Sequence, residues 1–236
     1  MLDQHSILGT CSYLGGLMTV PEEFCWTWGE FREFNAAVLC EPNQIIHYTR
    51  SKMSLHAGAR NFLAKERRGN WLFMADADVM LEPDTLFKML TLQKKYHLPV
   101  LTGIVRHKAL PHHPLLWLWS VERDGFVPIV EHDPSVQVFK IDATGGGCLL
   151  IASEVLDQLA WSFPNEEPFD HIGRYSEDLS FCLRLRRLGI SLYATPCVQA
   201  THLMVRGITD DDYVEGWWEA QTLEVACGRE QNVSRQ

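Results

Sequence analysis

Two aspartates two residues apart, Asp76 and Asp78, follow directly on a five-residue apolar run from Trp71 to Ala75. Carboxylates at the carboxyl end of a buried strand stand where open α/β sheets place their ligands. Such a pair can hold a divalent metal, and a metal so held can carry a diphosphate. The same two residues can also simply open a turn before the next helix. Further along, Gly145, Gly146 and Gly147 interrupt two strand-like runs. Consecutive glycines let a backbone approach a ligand closely or adopt positive φ, at an entropic cost that argues for a purpose. A bulge or tight turn is the alternative, and the run has neither the spacing of a dinucleotide site nor the Lys of a P-loop. Ser176-Glu177-Asp178 supplies two more carboxylates at the start of a predicted helix. Acids there stabilise a helix by ~0.3–1 kcal/mol without any catalytic role. His202 sits near the end of a predicted strand, where a lone histidine is more often structural. His107, His112 and His113 match no common zinc spacing, and Pro111 and Pro114 flank the latter two.

The elements that must hold these groups can be read from periodicity. Trp71 to Ala75 is a continuous apolar run, the signature of a strand buried on both faces. Before it, Ile7 to Ser12 and Ile45 to Tyr48 are strand-like, and Pro21-Glu22-Glu23 has the composition of a helix first turn. Leu55, Ala59, Phe62 and Leu63 make one helical face with Gly69 as its stop, and Arg60 and Asn61 lie beside that face. This helix sits in a basic block containing Arg50, Lys52, Arg60, Lys65, Arg67 and Arg68 against the single acid Glu66. Glu82-Pro83-Asp84 announces a helix that buries Leu86, Met89 and Leu90, and Pro99 to Val105 is the next strand. Alternating strands and helices predict a mainly parallel sheet with right-handed crossovers. From Arg106 the pattern loosens into proline-interrupted sequence, where Trp117, Trp119 and Phe126 read as loop or substrate-facing wall. Regularity returns with strands at Val136 to Ile141 and Cys148 to Ile151 and a helix capped by Ser153. A helix capped by Ser176 then buries Leu179, Cys182 and Leu183 and ends at Gly189, before strands at Ile190 to Ala194 and Val198 to Leu203.

Composition narrows the functional classes. The 236 residues, 46% of them hydrophobic, suffice for one domain with a full core. A net charge of −9 opposes general polyanion binding, which rests on a basic footprint. Seven cysteines without a Cys-x-x-Cys pair read as reduced thiols. No apolar run approaches the ~20 residues of a membrane span and the N-terminus lacks signal-peptide character, so the expectation is a cytoplasmic protein, in the host if viral.

In this order, apolar strand with Asp-Ala-Asp, glycine turn, Ser-Glu-Asp helix ending Arg-Arg-Leu-Gly-Ile, and strand with histidine, the chain resembles the GT-A glycosyltransferases. It is most similar to the short family-two-like enzymes of bacteria and their viruses. The resemblance implies an α/β, Rossmann-like fold, with a mainly parallel central sheet flanked by helices over 1–205 and an acidic, aromatic tail over 206–236. It implies that Asp78 binds Mn²⁺ or Mg²⁺ on the donor diphosphate, with His202 completing the coordination and Asp76 nearer the ribose. Arg60, within Ala-Arg-Asn, and Thr10 would contact the nucleotide, with Gly145 and Gly146 on the donor side. Asp178 would be the base, with Glu177 beside it in the acidic motif. The Gln-x-x-Arg-Trp motif of processive synthases is absent, which favours transfer of a single sugar.

The chemistry is coherent. A divalent cation stabilises the charge growing on a leaving diphosphate, and an imidazole ligand tilts the choice towards Mn²⁺. A carboxylate across the sugar can deprotonate the incoming hydroxyl, with inversion as the outcome. The resemblance implies a nucleoside-diphosphate sugar as donor, UDP-linked by preference, and a glycan, a lipid-linked sugar or a hydroxylated DNA base as acceptor. A nucleotidyltransferase would need a basic, glycine-rich phosphate loop that is not seen before residue 50, and a mere nucleotide-sugar-binding protein would not need both the metal pair and the Ser-Glu-Asp acid. If DNA is the acceptor, binding should fall steeply as salt rises, because counterion release drives it. Failure to bind or modify hydroxymethylated DNA at low salt, alongside transfer to a glycan, removes that acceptor.

Overall fold

Elements form where the apolar runs lie. The computed structural model describes residues 7–8, 22–39, 45–46 and 56–203, with side chains over 28–39 and 56–203. The order is β1 (Ile7–Leu8), α1 (Glu22–Leu39), β2 (Ile45–Ile46), α2 (His56–Glu66), β3 (Trp71–Ala75), β4 (Val79–Met80), α3 (Thr85–Tyr96) and β5 (Val100–Val105). Then come β6 (Leu116–Ser120), β7 (Gly125–Pro128), β8 (Phe139–Ile141), β9 (Ala143–Thr144), β10 (Cys148–Ala152), α4 (Ser153–Ser162), α5 (Glu177–Arg187) and β11 (Leu192–His202). Thr10 and the 206–236 tail lie outside the described residues. Among the described residues no helix is long and apolar enough to cross a membrane.

The central sheet runs β2-β1-β3-β10-β5-β11-β4, with β8 also on β11. β1 is parallel to β2 and β3, and β11 is parallel to β5. β10 is antiparallel to both its neighbours, β3 and β5, while β4 and β8 are antiparallel to β11. The sheet is therefore mixed, where a mainly parallel one was expected. The cause lies in the chain path. After β5 the chain builds the small antiparallel sheet β7-β6-β9, lays β8 along the start of β11 on the way, and enters β10 through Gly145 to Gly147 at the carboxyl edge of β3 and β5. A strand entering from that edge must run back against β3 and β5, because parallel entry would need a crossover to the opposite edge.

Both faces of the sheet are covered, which is why its strands read as unbroken apolar runs. Leu72, Met74, Leu149 and Ile151 point to one core with Val155 and Leu159 of α4 and Phe181 and Leu185 of α5. Phe73, Ala75, Cys148 and Leu150 point to the other, with Phe31 of α1 and Leu86, Met89 and Leu92 of α3. That is the period-two alternation of a strand, with each large side chain contributing about 1.5–3 kcal/mol by burial.

Four local expectations change. Phe62 is 38% exposed, because α2 buries Ala59, Arg60, Leu63 and Ala64 instead, a stripe turned to include a paired arginine. Ser153 opens α4 without capping it, since its Oγ donates to the Gly69 carbonyl. The tryptophan segment is a strand hairpin, β6 with β7. The two strands expected around Pro196 are one, β11, with a register shift between Thr195 and Gln199.

At that shift Val198 lies over Gly103 of β5. A Cβ at Gly103 would stand 2.6 Å from Val198 Cγ1 and 2.9 Å from Cys148 Sγ. Gly103→Ala should therefore destabilise the fold by about 1–3 kcal/mol through overpacking, measured by urea denaturation.

Candidate active site

Arg60 is the centre of the site. It projects from α2 with 4% of its surface exposed. Its Nη2 donates to Asp76 Oδ2 at 3.0 Å, its Nε to Glu177 Oε1 at 3.3 Å, and its Nη1 to the Gly146 carbonyl at 3.1 Å. One guanidinium thus joins the end of β3, the start of α5 and the glycine run, using the fixed fork that only arginine has. Burial by itself would lower the Arg60 pKa. The charge and hydrogen bond of Asp76, with the charges of Asp178 and Glu177, more than offset this and raise it.

Of the three glycines Gly146 is the one that leaves room for a member of the cluster, while Gly145 and Gly147 lie in ordinary contact with it and pack more tightly on Leu115 and Val79. A Cβ on Gly146 would stand 2.4 Å from Arg60 Cζ, one on Gly147 3.5 Å from Asp76 Oδ2, and one on Gly145 3.6 Å from Asp178 Oδ2. All three glycines are buried, and the Asp76 amide donates to the Gly147 carbonyl at 3.3 Å. At Gly146 the missing side chain is what lets the guanidinium reach the backbone.

Asp178 lies in the first turn of α5, with Ser176 as the N-cap residue. Its Oδ1 accepts from the Leu179 amide at 2.8 Å and from Ser176 Oγ. Burial pushes its carboxyl above the usual range, and the neighbouring Glu177 adds to this against the opposing pull of Ser176, Arg60 and the Leu179 amide. Perturbed carboxyls of this kind concentrate at functional sites. Glu177, 7% exposed, faces Arg60, with His56 Nδ1 3.9 Å away.

On the other side of the Asp76–Asp78 turn a second cluster forms. Val79 N donates to the Asp76 carbonyl at 3.1 Å, and β4 then pairs with the end of β11 so that His202 stands opposite Val79. His202 Nε2 lies 3.5 Å from Asp78 Oδ2, and its Nδ1 is 2.9 Å from the Arg106 carbonyl. A carbonyl can only accept, so Nδ1 carries the proton. Burial and the Lys108 charge lower the His202 pKa less than the Asp78 carboxylate at Nε2 and the Arg106 carbonyl raise it, so the charged ring is favoured and Nε2 offers a lone pair only once the ring is neutral. Burial raises the Asp78 pKa less than hydrogen bonds and charge from His202 and Lys108 lower it, so the carboxylate is held well below its ordinary range. Asp78 and His202 could face one cation. Among the described residues no group of three or more His, Cys, Asp or Glu is placed to hold a metal ion.

Of the residues singled out by sequence, Arg60, Asp76, Glu177, Asp178, Gly145 and Gly146 come together, as do Asp78 and His202. His107, His112 and His113 stay in the loop after β5. Sequence reasoning missed Lys108, whose Nζ is 2.5 Å from Asp78 Oδ2, and placed Asn61 beside the helix face without giving it a role. Asn61 accepts from the Phe169 amide at 2.8 Å and donates to Asp170 Oδ1 at 2.9 Å, tying α2 to the loop before α5. For Lys108, the available signal was its position three residues beyond the carboxyl end of β5, the edge that also carries Asp76.

The model of the glycosyl transferase family 2 matches residues 30–116, which include α2, β3, the Asp76–Asp78 turn and Lys108. No curated protein matches the chain. Among solved structures, GalNAc-T7 with UDP, GalNAc and Mn²⁺ superposes with a TM-score of 0.53 at 12% identity, over 92% of this chain and 50% of that one. This chain thus spans half the length of that structure, and the likeness is one of fold, of GT-A type. A197 from STIV aligns with a TM-score of 0.49 at 15% identity, over 84% of this chain and 87% of that one.

Arg60→Met would strip the guanidinium from two carboxylates, one of them buried. It should cost about 3–5 kcal/mol in urea denaturation, as breaking a buried pair from one side does. Arg60→Lys should recover less than half of this, because an ammonium cannot bridge Asp76, Glu177 and the Gly146 carbonyl with the same geometry.

Proposed function

We propose that this chain, a GT-A-like glycosyltransferase, moves one sugar from a UDP-linked donor to an acceptor hydroxyl with inversion at the anomeric carbon. The convergence of Arg60, Asp76 and Asp178 on Gly145 to Gly147 carries this reading. Carboxylates and a cation beside a backbone stripped of side chains can receive a polar ligand at close range. Arg60 and Asp76 would hold the nucleotide side. Glu177 acts as a positioning residue, since its carboxylate faces the Arg60 guanidinium.

Asp178 is the base. Its raised pKa makes it a stronger proton acceptor than a solvated carboxylate. It takes the proton of the acceptor hydroxyl as that oxygen attacks the anomeric carbon. The bond from sugar to phosphate breaks with its electron pair on the diphosphate, and attack from the opposite face inverts the centre. Asp78 and His202 would hold a divalent ion, Mn²⁺ by preference, which when bound offsets the charge growing on the leaving diphosphate. The UDP and Mn²⁺ in the GalNAc-T7 structure support this choice of donor and ion.

Asp178→Asn tests the base. Turnover should fall about 10²–10⁴-fold with donor binding nearly intact. Stability should move the other way. A carboxyl whose folded pKa lies above its unfolded one weakens the fold at neutral pH and has no effect in acid, where it is protonated in both states. The variant should therefore be more stable than the wild type at pH 7, and the difference should vanish as the pH falls through about 4. Near-normal transfer by the folded variant would overturn the assignment.

A further inference from the structure

Lys108 has no part in the scheme above, yet its ammonium lies closer to Asp78 than His202 does. Nζ is 2.5 Å from Oδ2, against 3.5 Å for His202 Nε2. The segment that presents it is fixed at its base. Arg106 bridges to Pro114, the His107 amide donates to the His113 carbonyl at 2.8 Å, and the Arg106 carbonyl holds His202. The pair itself stands at the solvent edge, Lys108 and Asp78 each 38% exposed, so it can open without disturbing the core.

The ammonium and a divalent ion drawn to the same carboxylate oxygen, Asp78 Oδ2, repel each other at that range, and the doubly charged ion is the stronger competitor. A divalent ion entering between Asp78 and His202 must displace the ammonium, and a lysine on its flexible four-carbon stem stays within reach of whatever the ion carries. Charge follows the same path. Asp78 and Lys108 are neutral as a pair. Adding an ion of charge +2 and a sugar diphosphate of charge −2 leaves Asp78 to be balanced, which Lys108 does only if it remains beside the diphosphate.

We propose that Lys108 is the resident cation of the site: it occupies the Asp78 carboxylate until ion and donor arrive together, then passes to the diphosphate. The proposal rests on the metal reading of Asp78. It makes each ligand weak alone and both tight together, since an ion without a diphosphate must break the pair and leaves the displaced ammonium without a partner, while a diphosphate without an ion finds the ammonium engaged.

The test titrates the full chain with Mn²⁺ alone, following free Mn²⁺ by electron paramagnetic resonance, and then with UDP at saturating Mn²⁺ by calorimetry. For Lys108→Met, affinity for Mn²⁺ alone should rise about tenfold and affinity for UDP should fall about tenfold, the scale of one charge-assisted hydrogen bond. Thermal denaturation should stay close to wild type. Arg106→Met removes the same charge two residues away and should change either affinity less than twofold. Unchanged Mn²⁺ affinity in Lys108→Met, absence of Mn²⁺ binding in both proteins, or equal effects from Arg106→Met would each overturn the proposal. Asp78→Asn separates the two levels. If it abolishes Mn²⁺ binding while Lys108→Met does nothing, Lys108 alone has been misread. If it binds Mn²⁺ like the wild type, the metal reading of Asp78 falls and the Lys108 proposal with it.

Discussion

A guanidinium with almost no exposure to water must find acceptors, and Arg60 finds three on three different elements. Much of the site follows from this requirement. Asp76, Glu177 and Asp178 would repel one another if gathered without a cation, and Arg60 is the cation that lets them gather. The same constraint dictates residue type at 146, where any side chain would collide with the guanidinium. It also orients α2 about its axis, which is why Arg60 lies inside and Phe62 outside.

The chain path serves the same end. β3 and β5 run in one direction, so their carboxyl ends share an edge, and the small sheet of β6, β7 and β9 is built on that edge rather than away from it. Gly145 to Gly147 are the return from the small sheet to the large one, and so fall beside Asp76. Loop 163–176 delivers α5 to the same place. Asn61 holds it from one side, and the buried Arg184, bonded to Glu166 and to the carbonyls of Pro168 and Asp170, holds it from the other. Trp119 stands further along this wall, with the Arg186 guanidinium 4.9 Å over its ring and Phe126 edge-on at 5.1 Å.

What could be read from sequence was what depends on neighbours in sequence. β3 coincides with its apolar run and α3 begins after Asp84, because periodicity is a local signal, whereas Ser176 takes the N-cap position of α5 without capping it, its Oγ donating to Asp178 instead. Strand direction is not local. Nothing in Cys148 to Ile151 distinguishes a strand running with β3 from one running against it. Burial of Arg60 depends on Glu177, 117 residues away, so a rule that counts arginine as polar turns the helix wrongly. Lys108 was passed over for a related reason: a basic residue among prolines and histidines reads as surface until the carboxylate it meets is in view.

The irregularity in β11 has a consequence in phase. Before it Ala194 lies in the core under α4 and α5, and after it Val198 and Ala200 lie in the core under α1 and α3. Residues two or four apart in an unbroken strand would share a face. The three residues without partners on β5, 196 to 198, are an odd number, and they invert the parity of everything that follows. His202 reaches Val79 in that inverted phase. Insertions or deletions of an even number in this segment preserve the alternation, whereas an odd one exchanges inside for outside along the remainder of the strand. The parity of the few residues between Thr195 and Gln199, and not the distance in sequence from Asp78, thus decides which face of the sheet His202 takes.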